Sequence, residues 1–228
     1  MCFNETASIV ALTIGIVFSV ILVYYNHIAY AGLLFAITLM QLYEYFAHHS
    51  IQTHDTALNV LSTKLIYFGI VLQPIVFAFC NVNFLPKKCN YNFPKIVKAF
   101  PWILLIYIAY SLFLFFYMND NNMFTTTYLT TPCNSICRLN WFDNVKSYMT
   151  TILFVIFVVL YIVIMQIYMF YDPKLPMQYV NSVILIIALI YTFFILKLNI
   201  FPGISVLGSM WCFFSIFMGP YVLYFVNS

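Results

Sequence analysis

The sequence predicts an all-α integral membrane bundle of seven transmembrane helices, and three observations carry that prediction. Of its 228 residues, 64% are hydrophobic and only 7% charged, against about 25% charged in a soluble domain. Seven stretches, near 6–25, 28–48, 64–85, 100–118, 148–171, 180–198 and 204–226, reach the length of about 20 mostly apolar residues that crosses a hydrocarbon core. The segments between them carry turn and proline signals, "NH" at 26–27, "LPKKCNYNFPKIVK", "DPKLP" and "NIFPG" among them. The whole chain, 1–228, reads as a single transmembrane domain.

Taken in order, the first two stretches are joined by so short a link at Asn26–His27 that they must be antiparallel neighbours. Between the second and third, Thr53–Ser62 admits two readings. Asp55 can cap a helix that begins as an amphipathic turn and runs on into the third span, or the segment can lie along the interface. The third stretch contains Gln73-Pro74, and the proline removes a backbone donor, so one carbonyl there needs another partner. The fourth loop, from Asn119 to Ser147, is the longest and contains Cys133 and Cys137. In the seventh stretch Gly208, Cys212, Ser215 and Gly219 form a stripe of small residues on which another helix can pack closely. No internal repeat is found.

The opening "MCFNET" has no basic region and carries Glu5, so the first stretch is expected to be a span rather than a cleaved leader. Lysine clusters on the cytoplasmic side orient such proteins. Lys87, Lys88, Lys95 and Lys98 form the one basic cluster, which puts the N-terminus outside and the C-terminus inside. The N-terminus and the second, fourth and sixth loops then share one face. On that face a disulfide is expected among Cys2, Cys133 and Cys137, with one cysteine left over.

The second stretch is the least uniform. Gln41, Glu44 and His48 recur at i, i+3 and i+7 and so share one helical face. With the helix ending at His48, Glu44 would sit only about 6–8 Å inside the end, where water can reach it. Acidic groups inside a span mark pathways and binding sites by default, so Gln41, Glu44, His48 and Gln73 are the candidate polar cavity. The competing account is an interhelical hydrogen-bond network, with Glu44 ionised and held by the N-terminal segment at Cys2 or by Lys64.

Other chemistries fit less well. His48, His49 and His54 supply imidazoles for a metal, but adjacent helical residues point about 100° apart, and no closed ligand spacing results. Haem needs histidines on facing helices, and the remaining one, His27, lies at the far end of the same helix. Retinal needs a lysine in the seventh span, where there is none. Nucleic acid is excluded by the net charge of +3 and by the lack of a basic, aromatic-studded face. The partners expected are the lipid bilayer and a small solute, proton or cation. A membrane-embedded metal-dependent enzyme and a scaffold without small-molecule chemistry are the alternatives.

The opening "MCFNETAS" followed by Gln41-x-x-Glu44 resembles a family of uncharacterised multi-pass membrane proteins. These begin Met-Cys-Phe or Trp-Ser-Ala-x-Ala-Ser and continue to a Gln-x-x-Glu pair in the second span. Met1, Cys2, Phe3, Thr6, Ala7, Ser8, Gln41 and Glu44 fit that pattern. Asn4 and Glu5 replace Ser-Ala, and His48 stands where a tryptophan is expected. The resemblance implies a seven-span fold with Cys2 and Glu44 as residues of interest, and no activity.

The topology has a direct test. Cysteines introduced singly as Lys95→Cys and Asn121→Cys, in a chain cleared of its own cysteines, are expected to react with an impermeant reagent from opposite sides of the membrane. Labelling of both from one side would show an even number of crossings between the two positions.

Overall fold

The computed structural model describes residues 5–84, 99–128, 139–145, 148–149, 151–153 and 155–160, with the single positions 187, 190, 212, 216, 219, 220 and 223. The described chain is mostly helical: α1 (Glu5–Tyr24), α2 (Ile28–Gln52), α3 (Thr56–Phe84), α4 (Phe100–Asp120), then β1 (Thr126–Tyr128) and β2 (Leu139–Trp141). Three of these helices have segments long and apolar enough to cross a membrane, Glu5–Tyr24, Thr56–Val76 and Phe100–Asp120. Of the predicted fifth span, 148–149, 151–153 and 155–160 are helical, and the sixth and seventh lie almost wholly outside the described residues.

The ends of α1, α2 and α4 are closed in the same way. At each, one residue adopts the left-handed conformation: Asn26 (φ 62°), His54 (φ 56°) and Asn122 (φ 53°). The next residue returns its N–H to a carbonyl five positions back, His27 to Leu22 (2.8 Å), Asp55 to Ser50 (2.9 Å) and Met123 to Met118 (2.8 Å). This is the Schellman pattern, which satisfies carbonyls a helix end would otherwise leave bare. Asparagine tolerates the left-handed region better than most residues, and the short polar turns at 26 and 122 use it.

Around the second turn both helices extend beyond the spans read from the sequence. α2 does not stop at His48 but runs one further turn to Gln52, and α3 starts at Thr56 rather than Lys64. Of the two readings of Thr53–Ser62, the capped helix is the one found. Asp55 Oδ1 accepts the Leu58 N–H (2.9 Å), and its carbonyl accepts the Asn59 N–H (3.0 Å). One residue thus ends α2 and begins α3.

These turns make α2 the central helix, antiparallel to α1 on one side and α3 on the other. Small residues set the spacing. A side chain at Gly15 of α1 would overlap Thr38 of α2, and one at Gly69 of α3 would overlap Met40. Ala31, Leu33, Leu34, Ile37, Met40 and Ala47 of α2 are all buried between the flanking helices. Outward faces are the reverse of those of a soluble protein, with Val20 64%, Phe79 62% and Trp102 68% exposed.

α4 is tied to α3 by tyrosines. Pro74 lies inside α3 and has no N–H to give the carbonyl of Ile70, four residues earlier. The Tyr107 hydroxyl of α4 donates to that carbonyl instead (2.9 Å). In return Tyr67 of α3 donates to the Ser111 carbonyl of α4. The partner foreseen for the proline's orphan carbonyl is therefore a tyrosine on the neighbouring helix.

This arrangement predicts a coupling. Tyr107→Phe leaves the Ile70 carbonyl without its donor and is expected to cost about 1–3 kcal/mol. In a Pro74→Ala background the new amide serves the same carbonyl, so Tyr107→Phe should cost less there. Unfolding of the four proteins of this double-mutant cycle in detergent measures the difference. Strictly additive losses would mean that the hydroxyl and the proline act independently.

A buried polar line capped by a two-stranded ribbon

Gln41, Glu44 and His48 each have no exposed surface, and Gln73 has 1%. The sequence placed Glu44 where water can reach it; its side chain is instead fully covered by protein. The extra turn of α2 to Gln52 carries the helix end farther outward, and the chain after α4 folds over it. Gln41 Nε2 donates to Glu44 Oε2 (3.2 Å) along the shared face of α2. Gln73 Nε2 of α3 donates to Cys212 Sγ (3.7 Å), and Glu44 lies within electrostatic reach of the same sulfur. Cys212 thus brings Glu44 and Gln73 to one centre.

Of the small-residue stripe, Cys212 and Gly219 are described, while Gly208 and Ser215 lie outside the described residues. A Cβ on Gly219 would come 2.7 Å from Phe18 Cβ and 3.1 Å from Leu34 Cδ2, so Gly219 abuts α1 and α2.

The fourth loop contains an element that the sequence reading missed. Thr126–Tyr128 and Leu139–Trp141 pair as antiparallel strands, with Thr126 opposite Trp141 and Tyr128 opposite Leu139. Three-residue strands are too short to stand alone, and this ribbon is docked. The Asn59 side chain of α3 accepts the Thr126 N–H at Oδ1 (3.0 Å) and donates from Nδ2 to the Thr126 carbonyl (3.0 Å). The amide behaves as one residue of a third strand. Its Nδ2 also reaches Ser50 Oγ of α2 (3.1 Å), and the Thr63 and Thr126 hydroxyls lie 2.8 Å apart. Below the ribbon, Tyr67 and Phe115 pack on Phe124, and Tyr67 also packs on Phe142. Asn59 was invisible as a site because a lone asparagine in a helical turn carries no spacing signal.

Over the end of α2 the ribbon sets Tyr128 against His48, with the hydroxyl 3.3 Å from Nδ1 and the ring centroids 5.6 Å apart. Burial holds the Tyr128 phenol above its usual pKa; the nearby Glu5 carboxylate acts in the same direction, against a hydrogen bond with Gln52. Glu5 itself meets His49 Nδ1 at 3.0 Å, and that imidazole stacks over Tyr45. The N-terminus of α1, the C-terminus of α2, the start of α3 and the ribbon therefore meet at one end of the bundle.

Two sequence candidates are placed elsewhere. Lys64 does not serve Glu44: its ammonium donates to Asn119 Oδ1 (2.8 Å) and sits 5.5 Å from the Phe124 centroid. The candidate metal histidines diverge, His48 to Tyr128, His49 to Glu5 and His54 into the exposed turn. Among the described residues no three His, Cys, Asp or Glu side chains are grouped to hold a metal ion. Cys2, Cys133 and Cys137 lie outside the described residues. Comparison with known protein families, curated proteins and solved structures finds no match to the chain.

Docking through Asn59 can be measured. Asn59→Ala removes three hydrogen bonds from one side chain and is expected to cost about 2–3 kcal/mol. Amide exchange at Thr126–Tyr128 should rise sharply, while the middle of α4 stays protected. Unchanged protection of the ribbon would assign its docking to the aromatic cluster alone.

Proposed function

We propose that this chain is a seven-helix membrane protein, N-terminus outside and C-terminus inside, that binds a proton or small cation at Glu44 and carries it across the bilayer. The observation that carries the reading is the complete burial of Gln41, Glu44 and His48 on one face of α2. An ionised carboxylate withdrawn from water costs several kcal/mol unless a positive charge or a proton accompanies it. An acidic side chain held inside a span marks a proton or ion pathway by default. The polar line extends beyond Glu44 to Gln73 and Cys212, which gives the bound species somewhere to go.

Membrane placement of α2 follows from its neighbours. It lies antiparallel between α1 and α3. If those two cross, α2 crosses with them. Its 25 residues span about 37 Å at 1.5 Å each, enough for a core of about 30 Å. The apolar outward faces at Val20, Phe79, Phe113 and Phe116 suit lipid.

Glu44→Gln tests the reading. Glutamine keeps the size of the side chain and can still meet Gln41, but it cannot take up a proton or balance a cation. Liposomes holding purified Glu44→Gln protein are expected to lose ion or proton uptake, with the melting midpoint in detergent within a few degrees of the parent. Retained uptake with a lowered midpoint would make Glu44 an interhelical tie instead.

A further inference from the structure

The ribbon and the residues that flank it are tied into one body. The Asp143 N–H donates to the Thr125 carbonyl (3.1 Å), and Asn144 Nδ2 donates to the Thr125 hydroxyl (3.0 Å), which closes the base of the ladder. Facing that body, Asn59 of α3 holds the Thr126 backbone, Thr63 of α3 meets the Thr126 hydroxyl at 2.8 Å, and Tyr128 lies over His48 of α2. Thr63 has no exposed surface, although it lies at the mouth of the α2–α3 hairpin. The contact with the ribbon is made of hydrogen bonds and ring contacts, which water can replace one at a time.

Phe142, directly after β2, is strained. Its φ is 59°, a backbone region that bulky side chains seldom enter. Such a conformation persists only where the surroundings impose it, and it recurs at clamps and switches. Here the Phe142 ring is buried edge-on against Tyr67 of α3, with the centroids 5.8 Å apart. Its carbonyl accepts the Val145 N–H (2.9 Å). Docking on α3 thus holds Phe142 in a shape that the chain would relax on leaving.

Resting on the reading of Glu44 as a carrier site, we infer that the ribbon is a strap with two positions, docked and lifted, and that lifting opens the end of the polar face of α2 to the ion. Phe124, packed on Tyr67 and Phe115, is its fixed end. The hydrogen bonds of Asn59 and Thr63 and the burial of the Phe142 ring hold the strap down. Relief of the Phe142 backbone and hydration of the Thr63 and Thr126 hydroxyls favour the lifted position. Opposed terms of this kind leave a short segment free to open without the helices beneath it, as lids over binding sites do. No bond to Glu44 or His48 has to break for the strap to lift, apart from the contact of Tyr128 with the imidazole.

Two measurements on the full chain test this, and the first needs no transport. Thr63→Cys places a thiol under the docked ribbon. In detergent it is expected to react slowly with a polar maleimide, located by mass spectrometry of the modified peptide. Adding Asn59→Ala should speed the reaction by roughly tenfold or more, since the docking bonds are lost. A Thr63→Cys thiol that stays unreactive beneath the intact ribbon, or a rate that Asn59→Ala leaves unchanged, would overturn the strap.

The second measurement locks it. Thr63→Cys with Thr126→Cys puts two sulfurs where the hydroxyls now meet, within reach of a disulfide. In liposomes, uptake of protons (a trapped pH dye) and of tracer sodium and rubidium is followed before and after oxidation. Oxidation is expected to bring uptake down to that of protein-free liposomes, and reductant to restore it in the same sample. Uptake untouched by the lock, or lost equally in the two single variants, would overturn the strap as the gate. No uptake by the parent or by the reduced protein would overturn the carrier reading, and the maleimide rates alone then uphold or overturn the strap.

Discussion

Hiding one face of α2 is the constraint from which the remaining described structure follows. Glutamine, glutamate and histidine at 41, 44 and 48 cannot be turned to hydrocarbon, where each polar group lacks a partner. The helix must therefore lie between others, and the sequence supplies the means. Turns at Tyr25–His27 and Thr53–Asp55 are too short to let α1 and α3 go anywhere but alongside. Gly15 and Gly69 remove the side chains that would hold those helices away. What remains open is the end of the face, and the ribbon after α4 covers it.

The covering and the covered parts are held by different kinds of force. Along α2 the contacts are apolar and close, so they resist any change of spacing. At the ribbon the contacts are largely hydrogen bonds from Asn59, Thr63 and His48, each worth about 0.5–1.5 kcal/mol net because water can replace it. Leu139 and Trp141 add apolar burial that favours the docked state. The interior of the bundle is therefore held more rigidly than the ribbon that covers its end.

How much of this was legible in the sequence depends on the range of the signal. The helical character and the antiparallel α1–α2 pair follow from hydropathy and a short link. The polar face follows from residues three and seven apart, and the orphaned carbonyl from Pro74. Each is a local pattern. The end of α2 was misjudged because His49–Gln52 looks like the start of a loop, and only the paired hydrogen bonds around His54 and Asp55 carry the helix on. The ribbon was missed for a different reason. Its strands are three residues long, and their pairing is stabilised by Asn59, nearly seventy residues before Thr126. No periodicity in the loop itself announces a partner so far away. Lys64 was misassigned likewise, since charge alone suggested Glu44 while the ammonium found an amide oxygen and a ring face on the next helix.

The position of the two amide side chains bears on the character of the centre. An interhelical tie needs its polar groups to bond from one helix to another, and Gln73 to Cys212 does this. Gln41 bonds to Glu44 on its own helix. A bond within a helix contributes little to holding helices together, but it fixes where a carboxylate stands and keeps a donor beside it. Pre-positioning of that kind lowers the cost of the charged state without removing the group's ability to gain a proton. Here the glutamine holds the Glu44 carboxylate one turn from the His48 imidazole, over which Tyr128 of the ribbon packs.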